Sequence, residues 1–198
     1  MTRLYLADVS RLDINKALAA VSDYRRQKAL RCPDEEKMRC CLGVELLLYR
    51  ALGATEPLSY SLGANGKPYF EDGSVCFSLS HSGNFAVCAV SDCEVGVDIE
   101  APRQNTLKIA KRFFTESEYE RIAKSDKPDE LFCRLWVIKE SYIKATGDGF
   151  KTPLDSFCAA EKIGEYSTAH FEHEGYHIAV CAKCESIGDV TIYDEEII

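Results

Sequence analysis

Ala86-Val87-Cys88-Ala89 recurs as Ala179-Val180-Cys181-Ala182, 93 positions further along the chain. A second pair of segments repeats at nearly the same spacing. Arg39, Glu45, Ala51 and Gly53 are matched by Arg134, Glu140, Ala145 and Gly147, at offsets of 94 or 95. Short Ala/Val/Cys strings recur by chance, but two separate matches at almost one offset favour a duplicated unit. The expected fold is therefore α+β, with two similar α+β halves forming a pseudo-dimer in one chain. Each half would be a small sheet packed on a long helix. The halves are assigned to residues 1–102 and 103–198, joined near Glu100 to Asn105.

Outward from these repeats, alternation and helical spacing place the remaining elements. Strands are expected at 3–9, 58–62, 75–79, 85–91, 94–100, 155–161, 168–173, 176–183 and 190–194. Helices are expected at 13–20, 22–30, 34–52, 105–112, 116–124 and 128–146. Asp34 is a helix cap ahead of Glu35-Glu36, and acids suit a first helical turn. Gly53 and Gly147 stop the two long helices.

Composition narrows the function classes. The chain has 198 residues, 46% hydrophobic and 28% charged, the balance of a soluble globular protein. Its longest apolar run, Phe85 to Val90, is six residues, whereas a membrane helix needs about 20. Met1 to Asp13 alternates like a strand and does not read as a signal peptide. Many of the ten cysteines sit inside apolar runs. They read as small buried hydrophobes in a reducing cytoplasm. A net charge of −8 argues against nucleic-acid binding, which needs a basic footprint. A local cluster of Arg and Lys could still hold a small anion.

Three segments carry chemistry. In Val95-Gly96-Val97-Asp98-Ile99-Glu100, strand alternation puts Asp98 and Glu100 on one face and Val97 and Ile99 towards the core. Two carboxylates on one face repel unless a cation lies between them, and magnesium takes such oxygen ligands together with substrate phosphates. Taken alone, two solvated acids on a strand are the commoner case. In the helix from Leu135 to Ala145, Trp136, Lys139, Glu140, Ile143 and Lys144 share one sector. The pair Glu140 and Lys144 could be a surface ion pair, but a sector joining the only Trp to an acid and two lysines suits the wall of a metal and phosphate site. In Phe77-Ser78-Leu79-Ser80-His81-Ser82-Gly83, a strand ends in donors where loops often hold ligands. No Gly-x-Ser-x-Gly elbow accompanies them, so a serine hydrolase is disfavoured.

Together and in this order, these segments resemble the 4′-phosphopantetheinyl transferases, specifically the large surfactin-synthetase-activating type. The resemblance rests on Phe77-x-x-Ser80-His81-Ser82, Gly96-x-Asp98-x-Glu100 and Trp136-x-x-Lys139-Glu140-Ser141-x-x-Lys144. It extends to Gly66-Lys67-Pro68, to Ile109 through Phe114 and to Pro153 through Phe157. It implies that Asp98, Glu100 and Glu140 hold magnesium against the diphosphate of coenzyme A, and that a carrier-protein serine attacks its β-phosphorus. Adenosine 3′,5′-bisphosphate would leave. By the same resemblance, Glu140 and Lys144 are catalytic, Glu140 as a ligand or as the base. Ser80 and His81 meet the nucleotide, His81 near its 3′-phosphate, and Lys67 and Pro68 flank the adenine. Arg25, Lys28 and Arg39 lie where the family gathers basic residues for the 3′-phosphate. The fit is imperfect there, because the family often has Arg at the place of Cys40, one position after Arg39. The implied partner is an apo acyl or peptidyl carrier protein, served by a monomer. The alternative is a non-catalytic carrier-binding scaffold of the same fold, which the intact Asp98, Glu100, Glu140 and Lys144 oppose.

Two further patterns are weighed. His173-x3-His177-x3-Cys181-x2-Cys184 has zinc-type residues, but zinc sites usually place their Cys ligands first. Cys181 also repeats the apolar setting of Cys88, so no stoichiometric zinc is expected. Lys108, Lys111 and Arg112 form a basic helix face. It is either solvated surface or a dock for an acidic carrier domain.

Overall fold

The computed structural model describes residues 1–185, 187 and 192–194. Its elements run in a repeated order. Strand β1 (Arg3–Asp8) is followed by helices α1 (Ile14–Ala20), α2 (Asp23–Ala29) and α3 (Glu35–Leu52), a short hairpin of β2 (Ser61–Leu62) and β3 (Pro68–Tyr69), then β4 (Cys76–Ser82) and β5 (Phe85–Ser91). The succession begins again with β6 (Val95–Glu100), α4 (Leu107–Phe113), α5 (Glu116–Ala123), α6 (Pro128–Thr146), β7 (Ser167–His173) and β8 (Tyr176–Ala182). Strand β9 (Ile192–Asp194) closes the described chain.

The sheets follow this repetition. β5 lies between β4 and β1 in one sheet, and β8 lies between β7 and β6 in the other, all antiparallel. The repeated Ala-Val-Cys-Ala strings thus lie in two equivalent inner strands. β9 extends the first sheet by pairing parallel to β1. The expected division at 102/103 needs correction. β6 pairs only within the second sheet, so the repeated unit restarts between β5 and β6, and Asp98 and Glu100 belong to the second unit. Proximity in sequence to β5 suggested otherwise, but the backbone hydrogen bonds of β6 go to β8.

Alternation along the strands makes four layers. Tyr5, Ala7, Ala86, Cys88 and Val90 of the first sheet pack on α3. Leu4, Leu6, Val87 and Ala89 on its other face meet Val97, Ile99, Ile178 and Val180 of the second sheet. The remaining face of that sheet receives α6, where Ala179 packs with Phe132, Leu135 and Ile138. Both long helices are capped as their sequences suggest. The Asp34 side chain accepts from the Lys37 amide at 2.8 Å, and Gly53 and Gly147 both end their helices in the left-handed conformation. Positive φ costs glycine little, having no Cβ.

The two sheets are stitched at one edge by hydroxyls. Ser78 Oγ accepts from the Val97 amide at 3.1 Å, and Ser82 Oγ accepts from the Ala101 amide at 3.0 Å. Between them, Ser80 Oγ donates to Asp98 Oδ1 at 2.8 Å. Alternate serines of β4 therefore satisfy β6 where no backbone ladder reaches it.

Elsewhere the expected elements shift. Residues 155–161 form no strand. They make a short 3-10 turn (Leu154–Ser156) and irregular chain, because their carbonyls at Leu154 and Phe157 are drawn onto Lys139. β2 is confined to the end of the expected 58–62 strand, and its partner β3 was not foreseen. Residues 190–191 of the last expected strand lie outside the described residues. No disulfide forms among the described cysteines. Among the described residues, no helix is long and apolar enough to cross a membrane.

Candidate active site

The site forms where α6 crosses β6. The crossing is tight at Gly96, where a Cβ would lie 2.0 Å from the Ser141 carbonyl oxygen and 2.4 Å from the Ala145 nitrogen. Only glycine fits such an approach, and the approach lets α6 side chains reach the strand. Lys144 of α6 donates to Asp98 Oδ1 at 2.6 Å and to Ser80 Oγ at 2.8 Å.

Asp98 is buried, not solvated. Its second oxygen, Oδ2, is buried without a hydrogen-bond partner, an arrangement that is costly unless a ligand takes up the lone pairs. Burial, then the charge of Asp98, raises the pKa of Glu100 above the usual carboxylate range. Burial and Asp98 raise that of Glu140 in the same way, with Glu100 adding to the effect. Mutual repulsion among three half-dry carboxylates is what a divalent cation relieves. Their oxygens do not gather as tightly as a finished ligand set: Asp98, Glu100 and Glu140 do not bring one oxygen each within 4.8 Å of one another. Two of them have turned to cations: Asp98 to Lys144 and Glu100 to Arg103, both at 2.6 Å. The donor set, all hard oxygen with one unpartnered buried atom, fits magnesium.

Two cavities meet at Lys144. The first, about 250 Å³, is lined by Tyr24, Arg25, Lys28, Tyr60, Pro68, Ser80, His81 and Lys144 among others. Four of these are basic or imidazole groups, suited to phosphates. Desolvation, then the charges of Lys144, Lys28 and Arg25, lowers the pKa of His81, so it is a neutral hydrogen-bonding group at pH 7. The second cavity, about 500 Å³, is mostly apolar. It is lined by Phe113, Trp136, Ile143, Pro153 and Leu154, with Arg112, Glu140 and Lys144 at its polar side.

The structure thus brings Arg25, Lys28, Pro68, Ser80, His81 and Lys144 to one cavity, with Asp98, Glu100 and Glu140 beside them. Two expected residues are held by other partners. Arg39 does not line the cavity. It bonds Glu35 at 2.8 Å and the Leu12 carbonyl at 3.3 Å, the helical rotation of one residue having turned it away. Lys67 is pulled under the site, its ammonium donating to the Ala145 carbonyl at 2.5 Å and the Val95 carbonyl at 3.2 Å. Its ammonium ties β6 to the end of α6. Arg25 is partly spent as well, donating to Glu45 at 3.0 Å and to the Tyr60 hydroxyl at 3.2 Å. Within the shared helix sector, Lys139 is fully buried on Glu118 at 2.8 Å, and Trp136 stacks on Phe132 at 5.5 Å. Neither faces the nucleotide-sized cavity. Tyr24 and Tyr60 were missed. Tyr24 stands four residues before Lys28 on one helix face and is exposed, a signal the sequence did carry.

Residues 94–192, from the start of β6, match the 4′-phosphopantetheinyl transferase superfamily. The chain belongs to that superfamily. It is 32% identical to a 4′-phosphopantetheinyl transferase of Bacillus subtilis, over 91% of this chain and 92% of that protein. It is 30% identical to 4′-phosphopantetheinyl transferase Sfp of Bacillus subtilis strain 168, over 88% and 87%. A putative 4′-phosphopantetheinyl transferase of Synechocystis is 31% identical, over 76% of this chain and 66% of that protein. In this transferase, the matched half holds every site carboxylate, while the basic wall of the first cavity comes largely from the unmatched N-terminal unit.

His81→Ala is expected to raise the Michaelis constant for the nucleotide substrate at least fivefold while changing turnover little. His81 lines the basic cavity, so its loss removes binding that ground and transition states share. Steady-state kinetics decide. An unchanged Michaelis constant with much lower turnover would instead give His81 acid–base work.

Proposed function

We propose that this protein transfers the 4′-phosphopantetheine arm of coenzyme A to a serine of an apo acyl or peptidyl carrier protein, releasing adenosine 3′,5′-bisphosphate. The observation that carries this reading is the junction. Three carboxylates, one with a buried unpartnered oxygen, stand at the meeting of a basic cavity and an apolar one.

Asp98, Glu100 and Glu140 would hold magnesium, which when bound neutralises charge on the diphosphate. Lys28, Arg25 and His81 bind the phosphates of the nucleotide end, and Tyr24, Tyr60 and Pro68 wall it. Lys144 lines both cavities and so reaches the diphosphate from the helix side, supporting the leaving group. Glu140 lines the apolar cavity, from which the carrier serine arrives, and this position suits it to take the serine proton. Positioning and charge stabilisation supply most of the rate.

Arg112 at the rim of the apolar cavity, with exposed Lys108 and Lys111 on the same helix, gives an acidic carrier domain a basic landing surface beside an apolar slot. All these groups lie within one chain, which supports a monomer as the acting form. The scaffold alternative is opposed by the intact site.

The test is intact mass spectrometry of an apo carrier protein incubated with this protein, coenzyme A and magnesium. The carrier should gain the mass of one phosphopantetheine per modified serine, and a chelator of divalent ions should prevent the gain. An unmodified carrier that still binds the protein would establish the scaffold reading instead.

A further inference from the structure

The string His173, His177, Cys181 and Cys184 does not gather. His173 packs edge-on against Phe85 at 5.2 Å, Cys181 is fully buried, and Cys184 hydrogen-bonds to the Ala182 carbonyl at 3.7 Å. A different trio does. His170, Glu172 and His177 each bring one ligand atom within 4.8 Å of the others.

The hairpin register explains why. Glu172 stands directly opposite His177, and His170 lies two residues along β7 on the same face. His170 Nε2 and His177 Nδ1 are 3.1 Å apart, and His177 Nδ1 is 3.8 Å from Glu172 Oε1. Tetrahedral zinc with bonds of roughly 2.0–2.1 Å places neighbouring donor atoms roughly 3.3 Å apart. The two imidazole nitrogens already stand close to that separation. Two histidines and one carboxylate, with an open fourth position, form a set that zinc accepts and magnesium does not favour.

We propose that His170, Glu172 and His177 form a second metal site, on the β7–β8 hairpin, for zinc or a similar borderline divalent ion. The shared hydrogen bond between the imidazoles would give way to two metal–nitrogen bonds, with release of no more than the protons the ligands carry. Access exists. Glu172 is exposed, and His170 opens on a polar cavity of about 430 Å³ whose walls include Arg121, Arg134 and Tyr166. Burial is the main reason that both imidazoles are neutral at pH 7, His170 with a pKa of about 4. Their lone pairs are therefore available. The charged neighbours are mixed. Arg134 of α6 opposes a cation, while Glu172 and Glu130 favour it, and Glu100 of β6 stands opposite His177 in the strand register.

Glu100 borders this site as well as the α6–β6 crossing, so the test reads zinc binding and not transfer. Zinc chloride is titrated calorimetrically into the full chain with excess magnesium and a non-thiol reductant present. The variants are His170→Ala, Glu172→Gln and, for the neighbouring thiols of Cys93 and Cys184, which hydrogen-bond to each other, the double change Cys93→Ser with Cys184→Ser. One zinc per chain is expected. Its affinity should fall at least tenfold in His170→Ala and severalfold in Glu172→Gln, and hold in the double cysteine variant. Glu172 is exposed and His170 only half-buried, so these variants should fold. Histidine ring-nitrogen NMR should show shifts at His170 and His177 on zinc addition. Affinity unchanged in His170→Ala, loss confined to the cysteine variant, or no zinc bound at micromolar concentration would each overturn the proposal.

Discussion

Glu140→Gln should lower arm transfer about a thousandfold or more while leaving the protein folded. A bound metal contributes several kcal/mol of charge stabilisation at a phosphoryl centre, and each 1.36 kcal/mol is about tenfold in rate. Gln keeps the shape of the side chain but removes both its charge and its basicity. The same change should not weaken the fold. Burial and the charges of Asp98 and Glu100 raise the pKa of Glu140, so its ionised form is disfavoured in the folded, metal-free protein. That penalty operates at pH 7 and fades as the pH falls through the raised value. The thermal midpoint without magnesium should therefore hold or rise in Glu140→Gln. Magnesium should raise the midpoint of the unaltered protein but not that of the variant. Near-normal transfer by Glu140→Gln would remove the carboxylate from the reaction. A lower midpoint would show that it serves the fold.

Lys139→Ala should destabilise the protein by about 3–5 kcal/mol, the range for breaking a buried ion pair from one side. The Lys139 ammonium is fully buried. It meets Glu118 at 2.8 Å and donates to the Leu154 carbonyl at 2.8 Å and the Phe157 carbonyl at 2.5 Å. The ring of Phe157 lies 4.4 Å away. Glu118 in turn caps α5 through Thr115 and accepts from the Ala159 amide at 2.7 Å. Removing the ammonium strands a carboxylate and two carbonyls in a dry core. Lys139→Met with Glu118→Gln should recover part of the loss, because it removes both charges at similar volume. Urea unfolding measures both. If Lys139→Ala unfolds like the unaltered protein but binds coenzyme A poorly, Lys139 belongs to the substrate site instead.

Lys139 marks where reading the sequence stops. Helical spacing put it in one sector with Glu140 and Lys144, and spacing cannot say which part of a sector faces solvent. The answer came from residues 154–157, whose carbonyls wrap the ammonium and so fail to make the expected strand. Lys67 was hidden for a similar reason. Its partners are carbonyls 28 and 78 residues away, and no local pattern announces a contact of that range.

The sequence by itself determined the elements whose cause is local. Caps at Asp34, Gly53 and Gly147 follow from side-chain and backbone chemistry within one turn. Alternation in 95–100 put Asp98 and Glu100 on one face, and the 93- to 95-residue offsets disclosed the repeated order of strands and helices. Only the tertiary structure decided which sheet owns β6, because strand pairing depends on backbone groups that every residue shares. It also decided that Asp98 is buried with Oδ2 unpartnered, that Gly96 lets α6 close on β6, and that His170 and His177 meet across the β7–β8 hairpin. Each of these depends on distances between segments far apart in the chain, set by packing that no single segment encodes.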